Sequence, residues 1–470
     1  MSQMPPSPPP FDAAAPHHER PRLRPVRGFP VQQNGQTLLG LSDARQISDR
    51  VVFTLPQAQA ILPHMNGETS VDEIVAKVGK GLTRQMLEGL VAQLDDAGLL
   101  EGPRFESLLA EMRSEYDSAP FLPPASTAHF AEALVADFIA RDLQGGNPEA
   151  SVTQQQVQEK MAALSEDEKA ERGRAHLDEI LGQWMDHVLE KAERPSFDAL
   201  PRAIVAPHLD YPRGWMNYAH VYGRMRVVDR PDRIVILGTN HFGLATGVCG
   251  CDKGFASPLG VCELDGDFLD MLKSELGPEH AGTYLANRYD HEREHSIELH
   301  LPWIQKVFGQ DQAGNYPKVV AALVHDPVAN NGASYDGKGL DIQPFIDALK
   351  ATIAKAPGRT LVIASADLSH VGRSFGDQRA IVGEDPDAAA FRNEIVQHDQ
   401  EMLQLIGEGK AEELVASMAW MQNRTRWCSI GNLFAMMKVV GAEKVEVLNY
   451  VAAADQQGVA MVTSCAAAVS

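Results

Sequence analysis

Two short stretches constrain this chain more than any other, IVAPHLDYPRG at 204–214 and RIVILGTNHFG at 233–243. Each is a run of aliphatic and β-branched residues that stops at a histidine: Ile204, Val205 and Ala206 lead to His208, and Ile234 to Leu237 lead to His241. Continuous apolar runs of this length mark strands buried on both faces, as in a parallel sheet. In such sheets chemistry collects just beyond the carboxyl ends of the strands. A third run, LVIASADLSH at 361–370, ends in the same way on Asp367, Ser369 and His370. One histidine in such a place is more often a hydrogen-bonded structural residue. Three strand ends that deliver three histidines and a carboxylate point instead to a shared pocket.

The rest of the carboxyl-terminal part alternates. Strand-like runs at 203–207, 233–238, 318–324, 360–366, 445–451 and 458–464 are separated by helical patterns at 216–226, 266–275, about 297–308, 342–355, 388–407 and 430–440. This predicts an α/β domain over 201–470, with a mostly parallel or mixed sheet covered by helices on both faces. Upstream, 104–200 reads as a helical linker with 3.6-period apolar faces. Residues 29–103 read as a small α+β module. Asn34-Gly35 lies between strand-like runs and signals a hairpin. Ser70 and Glu73 have the spacing of a capping box, and Thr83 can cap a helix carrying Met86, Leu87, Leu90, Val91 and Leu94 on one face. Residues 1–28 are Pro-rich and expected to be disordered, and His17-His18 is too isolated for a metal tract.

Charge narrows the function classes. Sixty-three acidic residues against 42 basic ones give a net charge of −21. That argues against nucleic acid and against anionic membrane surfaces, both of which are met by Lys and Arg. No apolar run approaches the 18 residues of a membrane span, and no apolar core of a signal peptide is present near the start. Five scattered cysteines make no disulfide framework; a reducing cytoplasm is the expected setting. Cys249-Gly-Cys251 lacks a matching second pair for metal.

The segments IVAPHLDY, VILGTNHFG, EHSIELHLPWIQ at 294–305, VIASADLSHVG at 362–372, SIGNLF at 429–434 and VLNYV at 447–451, in that order, resemble the Memo-like family, also called AmmeMemoRadiSam system protein B. The resemblance covers about 203–470 and implies a fold like that of class III extradiol dioxygenases, which hold non-haem Fe(II). It also implies that His208 and His241 bind metal, and that Asp367 and His370 are the family's strand-end Asp and His. The sequence departs from the pattern in three places. APHAGY is APHLDY here, the paired histidine after the second strand is His241-Phe242, and the family's cysteine falls on Thr425 while Cys428 stands where a histidine is common. The stretches ILPHMNGETSVDEI and LVAQLDDAGLLE of the amino-terminal module resemble PqqD-like winged-helix modules. That implies a peptide or protein partner, and a plain docking or dimerisation domain is the alternative.

Imidazole is the commonest ligand for Zn, Fe and Cu. His208 and His241 supply two ligands, and the third is open among Cys428, Asp210 and Glu298. Asp210 is two residues from His208, which on a strand places both on one face. Fe(II) is the expected ion, with Zn or Cu as alternatives. His370 is cast as an acid/base near the metal, oriented by Asp367. His295 and Glu298, three apart, form either a proton relay or a salt bridge on one helix face. Arg424 and Arg426 can hold an anionic group or lie on the surface. The reading is a Memo-like metal-binding protein in a redox or radical-SAM-associated system, with radical-SAM and AMMECR-type proteins as partners. Its alternatives are an extradiol-type dioxygenase acting on a diol, and a zinc-dependent hydrolase with Glu298 as base.

Overall fold

The computed structural model describes residues 10–33, 35–79, 81–147, 151–383 and 385–470. The chain divides into two compact units, Met1–Ala119 and Pro120–Ser470.

In the first unit β1 (Val26–Gln33), β2 (Gln36–Asp43) and β3 (Val52–Thr54) form an antiparallel sheet in that order. Asn34 of the expected hairpin turn lies outside the described residues; Gly35 has φ 76°, the left-handed backbone that a tight hairpin turn uses. Ser70 and Glu73 do cap one another: Ser70 N–H donates to Glu73 Oε2 at 2.7 Å, and Glu73 N–H to Ser70 Oγ at 3.3 Å. This starts α1 (Val71–Val78). Thr83 Oγ1 accepts from Met86 N–H and starts α2 (Arg84–Asp96), which is followed by α3 (Pro103–Ser118). Leu39 and Leu41 of the sheet meet Ile74, Leu87, Val91 and Leu94 in one core. The expectation of disorder up to residue 28 is corrected for residues 10–28. Pro16–Glu19 form a helical turn, β1 begins at Val26, and the buried Arg24 guanidinium lies 3.0 Å from the Asp43 carboxylate. A charged pair of this kind anchors a segment whose composition alone reads as unstructured.

The second unit begins with α4 (Ser126–Gln144), α5 (Gln154–Ala162) and α6 (Glu166–Leu189). The packing of α4 and α6 on the rest of this unit agrees with their apolar faces. Phe130 of α4 meets the Tyr211 ring edge-on at 5.0 Å, and Trp184 of α6 stacks on Trp215 and Trp303 at 5.7 and 6.1 Å. The main sheet contains β4 (Ala203–Ala206), β5 (Arg233–Thr239), β6 (Lys318–Val324), β7 (Thr360–Ser365), β8 (Asp367–Val371), β9 (Glu446–Ala454) and β10 (Met461–Val469). Their order is β8-β10-β4-β7-β5-β6, with the short strand Cys249–Gly250 beyond β6 and with β9 also paired to β10. β4, β7, β5 and β6 are parallel, while β10 runs antiparallel to β4, β8 and β9. The sheet is therefore mixed. Val205, Val235, Leu237, Val362 and Ala364 face one core, shared with α8 (Gly266–Leu285), α9 (Ile342–Lys355) and α10 (Ile430–Val440). The alternate residues Ile204, Ile234, Ile236, Leu361 and Ile363 are equally buried on the other face.

Register sets the site. Ala206 pairs with Ser365, so His208 and Asp367 each stand two residues beyond one paired rung. His241 stands two residues beyond Thr239, the last residue of β5. At Gly238 a Cβ would lie 2.6 Å from Ser296 Oγ, so glycine lets the turn His295–Glu298 close on the end of β5. Among the described residues no helix is long and apolar enough to cross a membrane.

Candidate metal centre

His208 Nδ1 lies 3.0 Å from Ser365 Oγ, and that hydroxyl donates to Ser296 O at 2.6 Å. With its proton committed, Ser365 Oγ accepts, so Nδ1 of His208 carries the ring hydrogen and the Nε2 lone pair points inward. Nε2 lies 3.3 Å from Cys428 Sγ. His241 shows the same arrangement: Nδ1 is 3.0 Å from Glu294 Oε1, its backbone N–H donates to Glu294 Oε2 at 2.8 Å, and its ring also bonds to Cys428. Ligand atoms of His208, His241 and Cys428 all lie within 4.8 Å of one another. Histidines that ligate metal generally give the other ring N–H to a carboxylate, carbonyl or hydroxyl, and both histidines meet that condition. Two imidazoles and a thiolate fit a Zn, Cu or Fe ion.

His295 joins the cluster. Its ring stacks on His241 with centroids 4.8 Å apart, and its Nδ1 lies 3.3 Å from Glu294 Oε1. One buried carboxylate thus orients two imidazoles. The sequence reading missed Glu294; its signal was the acid directly before His295 in EHSIELH.

The electrostatics follow. Burial, with the nearby His241 and His295, holds His208 well below the ordinary imidazole range. Burial would lower His241 too, but the Glu294 carboxylate and Cys428 outweigh it and hold the ring well above that range. Burial pushes Asp367 up to about 7, against the His208 and Leu209 amides that donate to its Oδ1 at 3.0 and 3.2 Å. His370 is lowered to about 4 by burial. Its Nδ1 donates to Leu368 O at 2.9 Å, which leaves Nε2 as the acceptor.

Several expected roles change. Asp367 does not orient His370; the Leu368 carbonyl does, while Asp367 Oδ1 accepts from the two backbone amides and Oδ2 lies 3.7 Å from His208 Nε2. Glu298 makes no relay with His295. Its carboxylate accepts from Ala125, Ser126 and Thr127 N–H at 2.9, 3.0 and 2.8 Å and from Thr127 Oγ1 at 2.5 Å, at the amino end of α4. Asp210 is the N-cap of α7 (Tyr211–Tyr222) and is paired with Arg213, so it is not a third ligand. Arg426 donates to His370 O at 2.8 Å and pairs with Asp377, while Arg424 is exposed. Cys249 donates to Asn287 O and Cys251 to Lys253 O. Another group, His17, His18 and Asp95, gathers two imidazoles and a carboxylate in the first unit. There His18 Nδ1 accepts from Asp12 N–H at 2.9 Å, so its Nε2–H donates to Asp95 Oδ2 at 3.1 Å. His17 Nε2 lies 3.4 Å from the other oxygen, Asp95 Oδ1.

Residues 171–469 match the family model described as Memo-like protein. The chain belongs to the Memo-like family, and the mixed α/β fold is that family's. A MEMO1 family protein of Desulfurococcus amylolyticus is 31% identical over 194 residues, covering 40% of this chain and 62% of the relative. One from Methanococcus maripaludis is 28% identical over 260 residues, covering 54% and 78%. One from Nitrosopumilus maritimus is 22% identical over 294 residues, covering 60% and 88%. The chain thus spans under two thirds of the first of these relatives and more of the other two.

Proposed function

We propose that this Memo-like protein holds one transition-metal ion on His208 Nε2, His241 Nε2 and Cys428 Sγ. Fe(II) is the ion that the family resemblance implies, and Zn or Cu are the others that this donor set accepts. The observation that carries the reading is the shared tautomer: Ser365 and Glu294 each occupy the outer ring nitrogen, so both inner lone pairs face one thiol. A bound redox-active ion would supply electron transfer or activation of a coordinated group. The chain's own part is proton handling and orientation. His370 Nε2 is a neutral acceptor at physiological pH, and Asp367, pushed up to about 7, can hold or release a proton there. The hydrolase alternative loses its base, because Glu298 is bonded to residues 125–127.

The test is metal analysis of protein purified without oxygen and reconstituted with Fe(II), Zn or Cu. One equivalent is expected in the wild type and under a tenth of that in His208→Ala and His241→Ala with the fold retained, since two of three ligands cannot hold the ion. Wild-type protein that takes up no stoichiometric metal refutes the proposal.

For the first unit we propose docking of an extended peptide or protein segment on the outer edge of β3, which among the described residues pairs only with β2 and has Phe53, Leu55 and Met86 exposed nearby. Radical-SAM and AMMECR-type proteins are the partners to test, by titration of purified candidates against the full chain. Phe53→Asp should weaken binding about tenfold; unchanged affinity refutes the assignment.

A further inference from the structure

Cys428 is carried by a turn that is held both from within and by its neighbours. Gln422, Asn423 and Arg426 have φ of 54°, 43° and 60°, a left-handed backbone that is unfavourable for a residue with a Cβ. Such conformations persist where surroundings over-determine them. Asn423 clasps Trp427 from within the turn, with Oδ1 accepting from Trp427 N–H and Nδ2 donating to Trp427 O, both at 2.8 Å. Arg426 and Thr425 tie the turn to the His370 backbone, with Arg426 Nε donating to His370 O and His370 N–H to Thr425 O, both at 2.8 Å, and a further hold comes from behind.

Asp399 is wholly buried on helix Pro386–Gly407 and collects four donors. Its Oδ1 accepts from Trp427 Nε1 at 2.9 Å and from Ser369 Oγ at 2.5 Å; its Oδ2 accepts from Tyr450 OH at 2.7 Å and from Thr463 Oγ1 at 2.5 Å. Trp427 Nε1 also reaches Ser369 Oγ at 3.0 Å. Ser369 N–H joins the two sides by donating to Thr463 Oγ1 at 2.8 Å, but Trp427 is reached from Oδ1 and Tyr450 from Oδ2. The Oδ2 side ties to β9 and β10. The Oδ1 side ties to Trp427, the neighbour of Cys428, and to Ser369, which stands on β8 between Asp367 and His370.

We propose that Asp399 is a positioning residue, which through Trp427 and Ser369 fixes the Cys428 turn and β8 relative to each other so that Cys428 Sγ meets His208. The purpose of that placement rests on the metal reading; the placement itself does not. A buried carboxylate needs its donors in any fold, so a purely structural role predicts similar effects from losing a donor on either oxygen. A positioning role predicts a split.

The experiment compares Trp427→Phe with Tyr450→Phe in the full chain. Each removes one donor to the same carboxylate and keeps an aromatic ring. Two readings are taken. The first is the rate of Cys428 alkylation by iodoacetamide at fixed pH, which is selective because Cys249, Cys251, Cys262 and Cys465 are buried. The second is Co(II) titration followed by thiolate-to-metal absorption. Trp427→Phe is expected to change the alkylation rate about fivefold and to weaken Co(II) binding about tenfold, as loss of a supporting contact does. Tyr450→Phe is expected to change both less than about twofold. Ser369→Ala should act like Trp427→Phe and replaces it if that variant does not fold. Equal effects of Trp427→Phe and Tyr450→Phe, or none from Trp427→Phe and Ser369→Ala, overturn the proposal. If wild-type protein binds no Co(II), the metal reading fails and the alkylation rates alone decide the positioning role.

Discussion

Replacing Glu298 with alanine separates a structural carboxylate from a catalytic one. The side chain accepts four hydrogen bonds from residues 125–127. Ala125 is exposed and Ser126 half-buried, so their amides can turn to water, but Thr127 is fully buried and loses a partner for both its N–H and its hydroxyl. A buried donor left without an acceptor costs about 1–3 kcal/mol. With part of the hydroxyl's loss recovered by rotation, Glu298→Ala should destabilise the second unit by about 3 kcal/mol. At roughly 2 °C per kcal/mol for a unit of this size, the melting temperature should fall by about 6 °C. Thr127→Val in the Glu298→Ala background should add much less than it does alone, because the two side chains share one interaction. Differential scanning calorimetry measures the shift, and metal content measured alongside should stay at the wild-type level. A melting temperature within about 1 °C of wild type, or metal lost while stability is kept, would show that Glu298 belongs to the site after all.

Two other outcomes follow from the same geometry. Ser365→Ala removes the acceptor that holds the His208 ring hydrogen on Nδ1, so metal affinity should fall about 10–100-fold while the ligands remain; an unchanged dissociation constant in a competition titration would refute the tautomer argument. Burial lowers His291 to about 4 and His300 to about 3, against about 6.5 in the unfolded chain. The unfolded state therefore binds more protons below pH 6.5, and stability present at neutral pH is lost as pH falls toward 4. The two residues together should make the protein about 4 kcal/mol less stable at pH 5 than at pH 7; equal denaturant midpoints at the two pH values would show that these rings already titrate normally.

The sheet was legible because its parallel strands are buried on both faces. Runs such as RIVILGT leave little alternative to β5, and shared register then carries His208, Asp367 and His241 to one edge. Cys428 was legible as a candidate but its approach to His208 was not, since it depends on a turn with three left-handed residues outside any periodic element. The assignments that changed did so where a local period was extended past its end. Asp210 was placed on the strand of His208, but β4 stops at Ala206 and α7 starts at Tyr211, so the residue between them caps a helix. Glu298 was placed on the face of His295 by helical spacing, but the helix there is only His295–Glu298, and its last side chain turns toward residues 125–127. Glu294 escaped notice because an acid in a stretch such as RYDHEREH reads as solvated surface, whereas it is buried between two imidazoles.

The strand order carries a consequence for the birth of the protein on the ribosome. β10 pairs with β4 on one side and with β9 on the other, so it lies inside the sheet although it is the last of these strands to be synthesised. β8, which carries Asp367 and His370, pairs with β10 and with no other labelled strand. A nascent chain that has reached residue 440 therefore contains both histidines and the cysteine but lacks the strand that fastens β8. Contacts of such long sequence separation form late. On the proposed metal reading, Asp367 and His370 would take their places beside the three ligands only once β10 has paired with β8.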